Sequence, residues 1–266
     1  MIAEKSDSLW AGYGFALGAT ALWSGNFIVA RGLTDAIPPV SLAFFRWLTA
    51  VLVFAPFALR GVASEWPVIR RHLLFMVVTA FLGVTCFNTF IYIAGHTTTA
   101  MNLSLIAITF PVFVVLFSRV LFKEVLHLKN AAGIAVVLTG VICLITRGEF
   151  ARLMAVRFVA GDLWMLAAAV IFAVFSILLR HKPPGISVYS FQFTLFCLGL
   201  LFLVPVFIWE QAGFSGQSLT RATVPAILYV GVFASLCAFL LWNRAILTLG
   251  TSRAGIIYHT LPLFSG

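Results

Sequence analysis

"GYGFALGATALWSGNFIVAR", residues 12–31, aligns without a gap on "GDLWMLAAAVIFAVFSILLR", residues 161–180, at an offset of 149. Gly12 meets Gly161, Leu17 meets Leu166, Ala19 meets Ala168 and Arg31 meets Arg180, and the register runs on through Ser41/Ser190, Phe44/Phe193 and Pro56/Pro205. A second match, at an offset of 151, pairs "AMNLSLIAITFPVF" with "TSRAGIIYHTLPLF", so that Pro111 meets Pro262. The chain is therefore a duplication.

Each string is long enough to cross a hydrocarbon core about 30 Å thick as a helix. Of the 266 residues, 62% are hydrophobic and 9% charged, against about a quarter charged in soluble domains. Spans are expected at 11–31, 38–59, 72–95, 98–120, 127–146, 160–180, 186–209, 223–247 and from 253 onward. A β-barrel would show strict alternation instead. Five spans in the first unit force the second to enter the membrane the other way round. The expected fold is an all-α, polytopic membrane helix bundle with a 5+5 inverted repeat. The first unit covers residues 1–147 and the second 148–266; a tenth helix is expected beyond Gly266. Inverted repeats of this kind typically build secondary transporters, with the site near the midplane and access alternating between sides.

The net charge of +9 does not imply nucleic acid, because the basic residues are spread over short loops. Eleven of them fall on the side of the N-terminus and five on the other, which favours a cytoplasmic N-terminus. Cys86, Cys143, Cys197 and Cys237 all fall in spans without the spacing of a disulfide or zinc framework. "MIAEKSDSLW" carries two acids and no small-residue cleavage motif, so the first helix is expected to be retained.

"LWSGNFIVARGL", "SLAFFRWLTAVLV", "YIAGHTTTAMNLSLIAITFPVFVVLFSRVLFKE" and "NAAGIAVVLTGVICLI" resemble EamA-type members of the drug/metabolite transporter superfamily. The spacing from Pro111 to Glu124, followed by the helix with Gly133 and Gly140, is the most specific part. The resemblance implies a ten-helix exporter of small metabolites in the bacterial inner membrane, monomeric, with both termini cytoplasmic and no cofactor. The aromatic-rich spans are most similar to the amino-acid exporter branch, aromatic amino acids included.

In hydrocarbon an unpaired amide or hydroxyl is costly, so polar side chains trace the inner faces of the spans. Trp23 and Asn26 share a face with Ala30 on span one. Thr85, Asn88 and Tyr92 form a stripe on span three; Asn102 and Thr109 lie seven apart on span four. The second half adds Phe172, Phe175 and Ser176, then Ser235, Phe239, Trp242 and Asn243, then Tyr258 and His259. Taken singly, each polar residue reads as glue between helices. Together, Trp23, Asn26, Asn88, Tyr92, Asn102, Thr109, Phe175, Trp242, Asn243, Tyr258 and His259 form the candidate substrate site: rigid apolar walls with amides to orient an amphipathic zwitterion.

Arg46 lies within span two, where it must snorkel or find carbonyl partners; a structural role and a contact with a substrate carboxylate both remain open. Gly14 and Gly18 form a GxxxG pair that reads as close helix packing, not as a dinucleotide loop. Pro111 and Pro262 occupy equivalent places, where a kink would free carbonyls. All eight acids lie outside or at the margins of the spans, which disfavours carboxylate proton relays. That leaves facilitated movement, or coupling through His259. A membrane-embedded enzyme would need an HxxxxD, HExxH or acid-rich motif, and none occurs. A channel would share this composition; saturable flux tells the two apart.

Overall fold

The computed structural model describes residues 2–122, 132–133, 135–136, 139–140, 143, 159–214 and 219–265. Over these it is all-helical, with no strand. The expected span 127–146 lies for the most part outside them, as does Glu124.

Span one is α1 (Ile2–Gly32) and span two α2 (Pro39–Arg71). Span three is built from α3 (Leu73–Ala80), a π-helical stretch (Phe81–Cys86) and α4 (Phe87–Gly95); span four is α5 (Ala100–Ala107) and α6 (Phe110–Phe122). The second unit follows the same plan: α7 (Ala160–Arg180), α8 (Val188–Ala212), then α9 (Val224–Leu228), a π-helical stretch (Tyr229–Cys237) and α10 (Ala238–Leu249), then α11 (Thr251–Tyr258) and α12 (Leu261–Ser265). Among the described residues, six stretches are long and apolar enough to cross a membrane: Pro39–Arg71, Leu73–Gly95, Ala100–Phe117, Ala160–Arg180, Val188–Ala212 and Val224–Leu249. α1, at 31 residues, is long enough too, but carries Ser24, Gly25 and Asn26 in its apolar run.

The halves interlock. α2 packs along α8, α1 against α10, and α4 against α7. The last two contacts are equivalents under the repeat, so the pairing obeys the duplication. The outer faces carry exposed Leu52, Phe57, Leu74, Leu116, Leu201 and Ile208, as lipid contact requires. Trp10, Trp66 and Trp209 are exposed toward helix ends, where indoles favour the membrane interface.

Both units break their helices at the same places. The fourth span is interrupted at Ile108–Thr109 and its equivalent at His259–Thr260, each just before the expected Pro. Proline offers no N–H to the carbonyl four residues back, so the ladder cannot run through. The threonine hydroxyls close the gap in the same way: Thr109 Oγ1 donates to Ile106 O at 2.7 Å, and Thr260 Oγ1 to Ile257 O at 2.8 Å. The two π-helical stretches are held at close approaches. A Cβ on Gly83 would come within 2.1 Å of the Phe175 ring, and one on Gly231 within 2.6 Å of Thr49 Cβ. The GxxxG reading holds for one of its two glycines. A Cβ on Gly14 would meet nothing within 4 Å, whereas Gly12 and Gly18 face Leu249 and Leu241 of α10. The packing face therefore takes Gly12 and Gly18 and leaves Gly14 out.

Candidate functional site

Arg46 organises the interior. It is 0% exposed, and its guanidinium reaches three other spans. Nη1 donates to Asn26 Oδ1 at 2.8 Å and to Tyr92 OH at 2.9 Å, Nη2 donates to Ala234 O at 2.8 Å, and Nε donates to Ser235 Oγ. Tyr92 OH also donates to Asn26 Oδ1, at 2.8 Å. The π-helical stretch supplies two of these partners, Ala234 and Ser235, and Ser235 Oγ donates to Val230 O five residues back at 2.7 Å. Asn26, the amide that interrupts span one, thus faces inward as expected, but onto Arg46 and Tyr92.

Beside this polar knot lies an aromatic core. Trp23 Nε1 donates to the same Ala234 O at 2.8 Å, which joins the two regions. Its ring meets Phe172 and Phe239 at 5.4 Å, Trp242 at 5.3 Å and Tyr258 at 5.9 Å between centroids. Phe110 closes on Tyr258 at 4.6 Å, Phe87 stacks on Phe172 at 4.5 Å, and Trp47 reaches Phe239 at 5.3 Å and Phe196 at 4.7 Å. Both halves contribute rings. Where the sequence suggested a lined site, these rings pack on one another: Trp242 is 0% and Tyr258 2% exposed. Edge-to-face contacts of this kind are favourable, so the rings close on one another.

Of the eleven candidate residues, Trp23, Asn26, Tyr92, Phe175, Trp242 and Tyr258 belong to these two regions. Asn88 is buried on the same span as Tyr92, with Nδ2 donating to Gly83 O at 3.4 Å and Oδ1 without a partner. Asn243 donates to Gln192 Oε1. Thr109 bonds its own helix, and His259, half-buried at the break of its helix, has an unpartnered Nδ1. Asn102 stands apart: it is exposed at the start of α5, where its N–H donates to Thr99 Oγ1. Trp47 and Gln192 escaped the sequence reading. A lone amide in an apolar span, the criterion that picked Asn26, would have found Gln192.

The carboxylates hold helix ends. Glu210, at the C-terminal end of α8, accepts from Val40 N at 3.0 Å, Ser41 N at 2.6 Å and Ser41 Oγ at 2.7 Å. These are first-turn N–H groups of α2, whose N-cap Pro38 offers no side-chain acceptor. At the opposite end of the pair, Glu65 accepts from Ser187 N at 2.9 Å and Ser187 Oγ at 3.2 Å, at the start of α8. Burial pushes the nearby Lys182 ammonium below its ordinary pKa, while Glu65 opposes that shift. A cavity of about 250 Å³ at Pro39, Ile93, His96, Thr97, Ala160 and Trp164 contains none of the candidate residues.

Comparison with known proteins agrees with this architecture. An uncharacterized transporter of Archaeoglobus fulgidus is 28% identical over 256 residues, 92% of this chain and 83% of the relative. Uncharacterized transporter YyaM of Bacillus subtilis is 22% identical over 252 residues, 94% of this chain and 82% of the relative. A crystal structure at 23% identity superimposes with a TM-score of 0.69 over 98% of this chain and 86% of that one, which shows the fold. These relatives name no substrate, so the likeness to amino-acid exporters finds no support among them. The EamA-like transporter family model matches residues 10–146 and again 159–266, and the chain belongs to that family of multi-pass membrane transporters.

Proposed function

We propose that this chain carries a small metabolite across the bilayer by alternating access, with the aromatic core between the two halves as the substrate path. Export of amino acids, aromatic ones first, from a bacterial cytoplasm is the specific form of the proposal, with the N-terminus inside. One observation carries it. Trp23 and Phe110 from the first half meet Phe172, Phe239, Trp242 and Tyr258 from the second in a single ring cluster. Opening the halves on either side would part those rings and expose a flat-walled slot that suits an aromatic side chain. The helix breaks before Pro111 and Pro262 and the two π-helical stretches give each half places to bend.

Counterflow of labelled substrate in proteoliposomes tests the proposal, with amino acids, nucleosides and cationic drugs as the panel. Saturable exchange of aromatic amino acids is expected, and Trp23→Phe should weaken apparent affinity several-fold by removing the indole N–H. Exchange confined to nucleosides or cations would overturn the substrate assignment; flux that never saturates would point to a channel. If His259 couples transport to protons, His259→Gln abolishes the pH dependence of exchange. An unchanged pH profile leaves facilitated movement.

A further inference from the structure

Arg46 carries a full positive charge in the membrane interior, yet every partner it has is neutral: an amide oxygen, a phenol, a hydroxyl and a backbone carbonyl. Four of the five N–H groups of a guanidinium are thereby used, so the group is hydrogen-bonded, but among the described residues no carboxylate pairs with it. Glu65, Glu210 and Asp162 serve helix ends and do not reach it. A neutral amide could tie the same helices together without the cost of burying a charge. Ionisable groups kept in the bilayer interior generally face a substrate or ion path.

A second observation concerns the surrounding donors. Trp47 Nε1, Trp242 Nε1 and Gln192 Nε2 are buried and have no acceptor. Indole and amide N–H groups normally find one when buried. Trp47 is the next residue along from Arg46, with the guanidinium carbon 5.0 Å from its ring centroid, and its ring reaches Phe239 at 5.3 Å. Phe239 in turn meets Trp23, and Trp23 meets Trp242. Among the described buried groups without partners, only Asn88 Oδ1 is purely an acceptor. Among the described residues the unpartnered buried groups thus include three pure donors against one pure acceptor, and Arg46 adds its charge.

We infer that the core accommodates an organic anion, with a carboxylate drawn to Arg46 and to the free indole N–H groups while its apolar body lies among Trp23, Phe172 and Phe239. The inference rests on the transport reading of this same core and narrows it: the carboxylate is the recognised feature, and an ammonium group is not required. Carboxylate bonds to a guanidinium are charge-assisted and stronger than bonds to its present neutral partners, so the anion would displace some of them.

The test uses the full chain in detergent and a matched set of ligands: 3-phenylpropionate, its amide, and phenethylamine, each titrated by ligand-induced shift in melting temperature. The acid is expected to bind about tenfold or more tightly than the amide, and the amine more weakly still. Arg46→Gln should reduce the preference for acid over amide to about twofold or less, while Arg46→Lys keeps the preference at lower affinity. If the Arg46 variants do not fold, the double variant Trp47→Phe with Trp242→Phe removes two N–H groups and leaves the charge; acid binding should fall several-fold and amide binding should not. Equal binding of acid and amide to the unaltered protein overturns the inference and points to water as the partner of these donors. So does a preference that survives Arg46→Gln. An acid that binds through Arg46 but is not exchanged in proteoliposomes breaks the transport reading and leaves the anion site standing. Saturable exchange of acids and amides alike does the reverse.

Discussion

The two halves share a scaffold but not a chemistry. Helix breaks and π-helical stretches recur in both at equivalent places and each half supplies an end-capping carboxylate, yet the polar knot is one-sided. Under the offset of 149, Arg46 corresponds to Leu195, Asn26 to Phe175, Trp23 to Phe172 and Trp47 to Phe196. Tyr92 corresponds to Asn243 at the offset of 151. Trp23 and Phe172 touch each other across the centre, as do Trp47 and Phe196, so the aromatic positions straddle the pseudo-symmetry axis. Duplication therefore accounts for the hinges and the ring cluster. Divergence of one half accounts for the charge, on which the anion site inferred above depends.

Swapping the charge between equivalent positions gives the largest contrast. Leu195 is fully buried, and the residues standing where Asn26 and Tyr92 stand for Arg46 are Phe175 and Asn243. Leu195→Arg would bury a guanidinium with little to bond, at a cost of about 3 kcal/mol or more. We expect poor membrane expression or a large drop in melting temperature in detergent. Arg46→Leu should behave in the opposite way. Asn26 and Tyr92 keep their mutual bond, Ser235 keeps Val230 O and Ala234 O keeps Trp23. Melting should then hold or rise while transport is lost, because replacing a buried charge with a packed apolar residue is often neutral or stabilising. Equal damage from both substitutions would show that Arg46 is a structural tie.

The carboxylate clamps are a subtler asymmetry. Glu210 receives three bonds and caps a helix whose own N-cap is a proline; Glu65 receives two, at a helix start that Ser187 already caps through Ser190 N at 3.2 Å. Glu210→Gln should thus loosen its end by about 1 kcal/mol, and Glu65→Gln by less. A 1 kcal/mol bias changes the ratio of two conformers about fivefold. Maleimide labelling of single cysteines introduced at each end should rise at the Glu210 end in the first variant and at the Glu65 end in the second. Labelling that rises equally at both ends would mean general loosening and would dissociate the clamps from alternating access.

The sequence carried the scaffold well because its signals are local and repeated. Apolar run length set the spans, the 149-residue register paired them, and Pro111 and Pro262 marked both breaks. Asn26 and Tyr92 were legible as inward-facing, since an unpaired polar group cannot face lipid. Their common partner was not, because which inward groups meet depends on how four helices rotate against one another. Gly14 misled for the same reason: a GxxxG spacing names two glycines of a helix but not which of them finds a neighbour. Asn102 misled through its position, because near a helix start an amide can reach solvent. The close packing of these rings was illegible as well. Aromatic residues in matching repeat positions imply convergence, but periodicity does not tell a lined cavity from a stack of rings.

The smallest expected effect tests whether symmetry of structure extends to energy. Thr109 and Thr260 each bond the carbonyl three residues back twice, once through Oγ1 and once through the backbone N–H at 3.0 Å. Valine preserves the shape and removes only the hydroxyl, so the carbonyls of Ile106 and Ile257 each keep one bond and no buried acceptor is orphaned. The loss should be that of one ordinary hydrogen bond, about 1 kcal/mol or less, and equal for Thr109→Val and Thr260→Val within about half a kcal/mol, read as a melting shift in detergent. A clearly larger loss in the second half would assign extra strain to the break at His259. The helix break at His259 would then be the softer hinge, and the half that lacks the buried charge would be the half that moves first.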